Sequence, residues 1–462
     1  MDTRDEHDFL GPVKVPKLAY YGSHTERAKE NFQISRQMMH PALRDAICHY
    51  KIAAAMANLA LKKLEPFAAK AIEDATQETI RGWLDAHLVI SYLQAGAGTP
   101  WNMNVNEVIA NRATELVGGK KGEYLIHPND HVNMGQSTNN VIPTAMRLAA
   151  LSRLYPLLCE LHLLEQSYLR KAKEFDKVIT AGRTHLQDAV PIRIGQEFHA
   201  WGVALGKCRD RIKGASTDLY SLNTGGSAIG TGLNTHPKFA ELVLDHLKGL
   251  TKQPLVLAKD PIEATSSMAD IAAFHASLKI VSNELIRLCN DLRLLASGPN
   301  TAIHELNLPA VEPGSSIMPG KVNPSVPECV TMTCFEVLGN DHMIELCAQN
   351  SQLQLNVWMP LLAHKLLESM DHLTAAMRLL REKCIAGITV NKDVCQTHFE
   401  SSLGLATVLS PFIGYEKAAE VVKESQRTGK TVREIVIGKK IFSKSDLDKL
   451  LDPMNVTKPN VK

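Results

Sequence analysis

Between Pro261 and Gly298 the chain runs without another proline or glycine, and apolar residues recur at Ile271, Phe274, Leu278, Val281, Leu285, Leu288, Leu292 and Leu295. The intervals alternate between three and four, the heptad period of a helix with one apolar stripe. At 1.5 Å per residue, such a segment reaches roughly 55 Å. A helix of that length cannot leave its stripe in water, so it needs other long helices to lie against. The sequence offers them. One helical pattern starts near Pro143 and passes residue 170, with Pro143 expected at the first helical position and Pro156 as a kink. Others span about 41–63, 65–83, 191–212, 327–356 and 361–384.

The fold class this predicts is mainly α, with a central bundle of long helices. One chain supplies only about five of the long ones, which predicts partners in other subunits. Residues 1–137 read as a mixed, mostly helical first domain. Residues 138–393 read as the bundle, and 394–462 as a small helical third domain. In that last part, TGKTVREIVI and SKSDLDKLLD predict two short helices, the second capped by Ser443 or Ser445.

Composition narrows the function classes. The net charge of +2 gives no field to draw in nucleic acid or a membrane surface. Aromatics, at 5%, are too sparse for a base-stacking platform. Nine scattered cysteines with no C-x-x-C pair argue for thiols in a reducing compartment. The acidic start, MDTRDEHDFLG, has no apolar core of a signal peptide, and no apolar run reaches membrane-spanning length. The expectation is a soluble, cytoplasmic protein.

Four polar, loop-like stretches stand out: GAGTPWNMNVNEV (96–108), HPNDHVNMGQSTNN (127–140), GRTHLQDAVP (182–191) and GSSIMPGKVNP (314–324). The second and third each precede a predicted helix. Ser137, Thr138 and Asn139, and likewise Thr184 and His185, would stand where free N–H groups and the helix dipole favour an anion. Such residues are also ordinary N-caps. Four such stretches in one chain of low net charge point to a pocket for a small carboxylate. His127, Asp130 and His131 do not have a strong metal-ligand spacing, and no metal is expected. GGSAIGTG (225–232) lacks the order of a dinucleotide loop, and no G-x-S-x-G elbow is present.

GSSIMPGKVNP closely resembles the signature of the fumarase/aspartase superfamily, G-S-S-x-M-P-x-K-x-N. The likeness continues through AYYGSHTERAKENFQIS (19–35), GAGT with NMNVNEV, HPNDHVN, GRTHLQDAVP, GTGLN (230–234) and LQLNV (353–357). The resemblance implies a three-domain, mainly helical fold and a homotetramer whose active sites each collect segments from three subunits. It implies an anti elimination from a dicarboxylate of the succinyl type, without a cofactor. A base takes the proton next to a carboxylate, charge spreads into an enediolate, and the leaving group departs. By resemblance Ser315 is the base. Ser316 binds substrate, and Lys321 and Asn323 hold the carboxylate that becomes the enediolate. Thr99, Ser137, Thr138, Asn139 and Thr184 match substrate-binding positions, and His185 matches a histidine paired with a carboxylate, here Glu328.

The neighbouring text resembles the aspartase branch: Leu186 in GRTHLQDAVP, QSTN at 136–139, DPIEATSSMAD at 260–270 and QLQLNV at 352–357. That implies release of ammonia from L-aspartate to give fumarate. Hydration of fumarate to malate, or a lyase reaction on a related amino acid, are the alternatives. The chain departs from the family pattern at Asn140, where Asp is usual, at Asn300, Thr301 and Ala302 after SGP, and at Pro100 and Trp101 after GAGT. These residues flank the substrate-binding positions.

Overall fold

The computed structural model describes residues 2–459. It is built mainly from helices, with four two-stranded sheets among the described residues. The long ones are Pro41–Ala60, Thr99–Leu116, Thr138–Glu174, Ile194–Ala215, Ala269–Leu295, Ser325–Gln349 and Met359–Lys383. No helix is long and apolar enough to cross a membrane among the described residues.

The heptad stripe behaves as its period predicts. From Ile271 to Leu292 all seven of its members are fully buried in the Ala269–Leu295 helix, and Leu295 is half-buried at the end. That helix starts later than the proline-free run suggests. A single turn, Glu263–Ser266, comes first, and the chain breaks at Ser267 in an extended conformation.

The Thr138–Glu174 helix starts five residues before Pro143, so both Pro143 and Pro156 lie inside it. A proline has no N–H for the carbonyl four residues back. For Pro143 that carbonyl belongs to Asn139, and it accepts instead from Asn223 Nδ2 at 3.3 Å.

By proximity the chain groups into two compact units. The first comprises residues up to Leu158, Arg211–Ile280 and Phe335–Leu373. In it, the Pro41–Ala60 helix packs against Pro66–Ile80 and Phe239–Thr251. It buries Leu43, Ile47 and Tyr50 completely.

The second comprises Cys159–Asp210, Val281–Cys334 and the chain from Thr374 onward. Ile179, Phe399, Leu405, Leu409, Val421, Val436 and Leu447 form a core there, beneath the short C-terminal helices. Two of these match the expected pair. Val432–Gly438 opens on a Thr431–Glu434 capping box, and Ser443 caps Lys444–Leu450.

Candidate active site

The GSSIMPGKVNP stretch is an irregular loop tied at its neck. Gly314 N–H donates to Lys321 O at 2.9 Å, and Asn323 Nδ2 donates back to Gly314 O at 2.6 Å. A Cβ at position 314 would stand 2.6 Å from Lys321 O and 2.8 Å from Asn323 N, so only glycine lets the two limbs meet. Beyond the neck, Ser315 Oγ accepts two backbone N–H groups, from Ile317 at 3.2 Å and Met318 at 3.0 Å. Two such donors favour the charged form of an oxygen. Ser315 is half-buried, while Ser316 and Lys321 are exposed. Lys321 and Asn323 also line a cavity of about 530 Å³ with Arg293, His304 and Asn307. Asn300, Thr301 and Ala302, which depart from the family pattern, are exposed.

Thr184 and His185 are not ahead of a helix, as their sequence context predicts. They belong to an antiparallel hairpin, Ile179–Thr184 against Gln187–Arg193. His185 and Leu186 form its two-residue turn, at φ 54° and 58°. That is the left-handed pair a tight hairpin requires, and it is usually supplied by Asn or Gly. The helix begins only at Ile194. Buried Glu305 anchors the hairpin, accepting from Thr180 Oγ1 at 2.6 Å and Arg183 Nη2 at 2.8 Å and pairing with His398 Nδ1 at 2.7 Å. His185 itself is exposed. Glu328, in the first turn of Ser325–Gln349, lies 3.8 Å from Arg293 Nε. His185 and Glu328 are not paired with each other within the chain, among the described residues.

Thr99 begins its helix directly after Gly98, whose φ is 86°. The preceding loop rests on the LQLNV stretch, where Ala97 N–H donates to Val357 O at 2.9 Å. Pro100 occupies the first turn, where its missing N–H costs nothing. Trp101 points away from solvent altogether. It is 0% exposed and its indole N–H donates to Ile90 O at 3.0 Å. These two departures are therefore part of the scaffold behind Thr99.

Ser137 caps the Thr138–Glu174 helix. Its Oγ accepts from Asn139 N at 3.2 Å, while Asn140 Oδ1 accepts from Ser137 N at 2.8 Å. Asn140 Nδ2 also donates to Tyr50 Oη at 2.5 Å, deep in the core. Asn139 Nδ2 donates to Ala228 O at 2.7 Å, in the GGSAIGTG turn. In HPNDH, His127 Nδ1 accepts from the N–H groups of Asn129 and Asp130, and His131 Nδ1 from that of His127. Both rings thus serve the local backbone.

One feature beside these residues has no counterpart in the sequence reading. Lys51 is fully buried, and its Nζ donates to Asn102 Oδ1 at 2.7 Å, Gln136 Oε1 at 2.8 Å and Asn133 Oδ1 at 3.0 Å. Burial pushes its ammonium well below the ordinary lysine pKa. Its sequence signal is faint: one charge in the apolar run YKIAAAMA.

The chain is thus mainly helical, with a glycine-necked serine loop and hydroxyl-bearing helix starts at Thr99 and Thr138. Residues 11–339 match the family model described as "Lyase", and residues 405–458 match "Fumarase C C-terminus". An aspartate ammonia-lyase of Pseudomonas aeruginosa is 46% identical, covering 99% of this chain and 98% of its own. That of Escherichia coli is 43% identical, covering 99% and 97%. The crystal structure titled fumarate lyase:delta crystallin from Brucella melitensis bound to cobalt superposes with a TM-score of 0.96 at 43% identity, covering 99% of this chain and 100% of that one. A class II fumarase from Schistosoma mansoni gives 0.95 at 35%, covering both chains completely. The chain belongs to the fumarase/aspartase superfamily of lyases.

Proposed function

We propose that this protein is an aspartate ammonia-lyase, a carbon–nitrogen lyase that converts L-aspartate reversibly to fumarate and ammonia. The observation that carries the reading is likeness over nearly the full chain to aspartate ammonia-lyases, at 46% identity for the Pseudomonas aeruginosa enzyme. In this reading Ser315 Oγ removes a proton from the carbon beside one carboxylate. The electron pair moves into that carboxylate as an enediolate, then returns to form the double bond as the C–N bond breaks. The amine leaves with its electron pair and is released as ammonia.

Charge development on the carboxylate is the main barrier, so donors aimed at its oxygens are the largest expected help. Lys321 and Asn323 fill that part, with Ser316, Thr99, Ser137, Thr138, Asn139 and Thr184 binding the rest of the substrate. A neutral serine is a poor base and needs its alkoxide held ready. The two N–H groups directed at Ser315 Oγ support that assignment.

The assembly we propose is a cytoplasmic homotetramer with active sites shared among three subunits, His185 pairing with Glu328 across chains. The outward face of the Ser325–Gln349 helix supports it. Met332, Phe335 and Leu346 leave 63%, 57% and 42% of their surface exposed, along a helix whose opposite face is core. Exposed apolar stripes of this kind mark surfaces that another chain covers.

The test follows fumarate by its ultraviolet absorbance, with purified protein and either L-aspartate or L-malate. Fumarate from aspartate alone is the expected result. Fumarate from malate alone identifies a hydratase and overturns the proposal.

A further inference from the structure

The buried lysine lies two hydrogen bonds from a proposed substrate-binding hydroxyl, that of Thr138. The chain of reasoning starts at two backbone carbonyls, which can only accept. Gln136 Nε2 is 2.9 Å from Val132 O, and Asn133 Nδ2 is 3.3 Å from Gln136 O. Those contacts fix both amides, so each turns its oxygen toward Lys51 Nζ. An ammonium in turn can only donate, so Asn102 must also present its oxygen to Lys51, at 2.7 Å. Three amide oxygens then receive three N–H bonds, which favour the ammonium against the burial that disfavours it, with no carboxylate hydrogen-bonded to Nζ among the described residues. With its oxygen so committed, Asn102 directs Nδ2 at Thr138 Oγ1, 3.3 Å away, and at Asn133 Oδ1, 3.2 Å away. Asn102 is 1% exposed and Thr138 8%, so water does not readily substitute for either contact.

We propose that Lys51 and Asn102 are positioning residues for carboxylate binding: because Asn102 donates to Thr138 Oγ1, the Thr138 hydroxyl keeps its own proton free to donate to a substrate carboxylate. This rests on the reading of Thr138 as a substrate-binding residue. Without the charge at Lys51, only the 3.2 Å bond from Nδ2 to Asn133 Oδ1 still opposes turning over of the Asn102 amide. Thr138 would then give its proton inward and face the substrate with lone pairs alone.

The obvious variant, Lys51→Met, takes away the donor that the Asn102 and Gln136 side-chain oxygens share and risks not folding. The decisive variant is Asn102→Asp, which has nearly the same shape and gives Lys51 an ion pair. Its carboxylate has no N–H, so it takes the Thr138 proton for itself. The experiment measures succinate affinity by titration calorimetry, and KM and kcat for L-aspartate, on folded full-length wild type, Asn102→Asp, Thr138→Val and the double variant. Asn102→Asp is expected to weaken succinate binding and raise KM by about tenfold, the scale of one hydrogen bond to a charged group. Its effect on kcat is expected to stay within about threefold. In the Thr138→Val background, Asn102→Asp is expected to change affinity by no more than about twofold.

An equal loss in both backgrounds means the added charge acts directly and overturns the proposal, as does wild-type affinity in Asn102→Asp. A folded Lys51→Met protein with wild-type affinity overturns it too. If the wild type makes no fumarate while succinate binding follows the expected pattern, the aspartate reading fails and this inference stands.

Discussion

The hydroxyl oxygen of Ser315 sits 3.0 Å from the backbone nitrogen of Met318, which donates to it. Ile317 N–H donates to the same oxygen. None of the bonds that close the loop's neck uses this hydroxyl: they join Gly314, Lys321 and Asn323. Replacing Ser315 by Ala therefore removes the proposed base without opening the loop. The two released N–H groups lie in an exposed segment where water reaches them. Ser315→Ala is expected to lower kcat by about 10²–10⁴-fold, the range for loss of a positioned proton-transfer group. Its stability should stay within about 0.5 kcal/mol of wild type, as for surface changes. Steady-state kinetics beside urea unfolding checks both. Full activity in the variant sinks the assignment of Ser315.

Gly314 makes the complementary case. A methyl group there meets two backbone atoms, Lys321 O and Asn323 N, and neither can swing aside as a side-chain tip would. Gly314→Ala must push the limbs apart, shifting Lys321 and Asn323 together with Ser315. A misplacement of this size is expected to cost about 10²-fold in kcat/KM. The loop is exposed at its tip, so the melting temperature should move little. Unchanged kinetics would mean that the neck geometry does not matter to turnover.

How much of this was legible beforehand varies with the range of the interactions involved. The Ala269–Leu295 helix was readable because its stripe is a local repeat and all of its central members are core. Glycine-rich GSSIMPGKVNP was readable as a loop for equally local reasons. The start of the Thr138–Glu174 helix was misread because Pro143 looked like a first-turn residue. Its ability to sit deeper depends on Asn223, a residue distant in sequence that takes up the carbonyl of Asn139. The hairpin at Thr184 was misread because His185 and Leu186 give no turn signal. Their left-handed backbone is held by a strand pair that Glu305 anchors from far along the chain. Lys51 was invisible for a related reason. A buried lysine depends on where its acceptors are, and those come from residues 102, 133 and 136.

Trp101 flanks a substrate-binding position in the sequence, and its burial predicts a loss of stability on substitution and not a change in substrate binding. Trp101→Phe keeps most of the packing and leaves Ile90 O without the indole N–H. An unsatisfied buried acceptor costs about 1–3 kcal/mol. Denaturant unfolding should register that loss, while KM for L-aspartate stays within about twofold. A large change in KM at wild-type stability would mean that Trp101 acts on substrate binding and not on the scaffold.

The carboxylate of Asp341 predicts how stability responds to acid. It receives His275 Nδ1 at 2.8 Å and Lys279 Nζ at 2.7 Å, joining the Ala269–Leu295 and Ser325–Gln349 helices. Burial, the largest single influence, pushes its pKa up, but the bonds and charges of His275 and Lys279 together outweigh it and leave the carboxyl below its usual range. A carboxyl whose folded pKa is depressed binds its proton more readily when unfolded. Its contribution is therefore complete above the unfolded value of about 3.9 and is lost as pH falls through the lower, folded one. Asp341→Asn offers one oxygen and one NH2 in place of two oxygens, so it no longer matches both His275 and Lys279. The variant should be less stable than wild type by about 2 kcal/mol near pH 7, within the range for a buried hydrogen bond to a charged group. The gap should narrow below about pH 4, as wild type loses the charge that the variant never had. Urea unfolding of both proteins from pH 3 to 7 measures it. A gap that stays constant over that range would mean packing, and not the ionised carboxylate, is what Asp341 supplies.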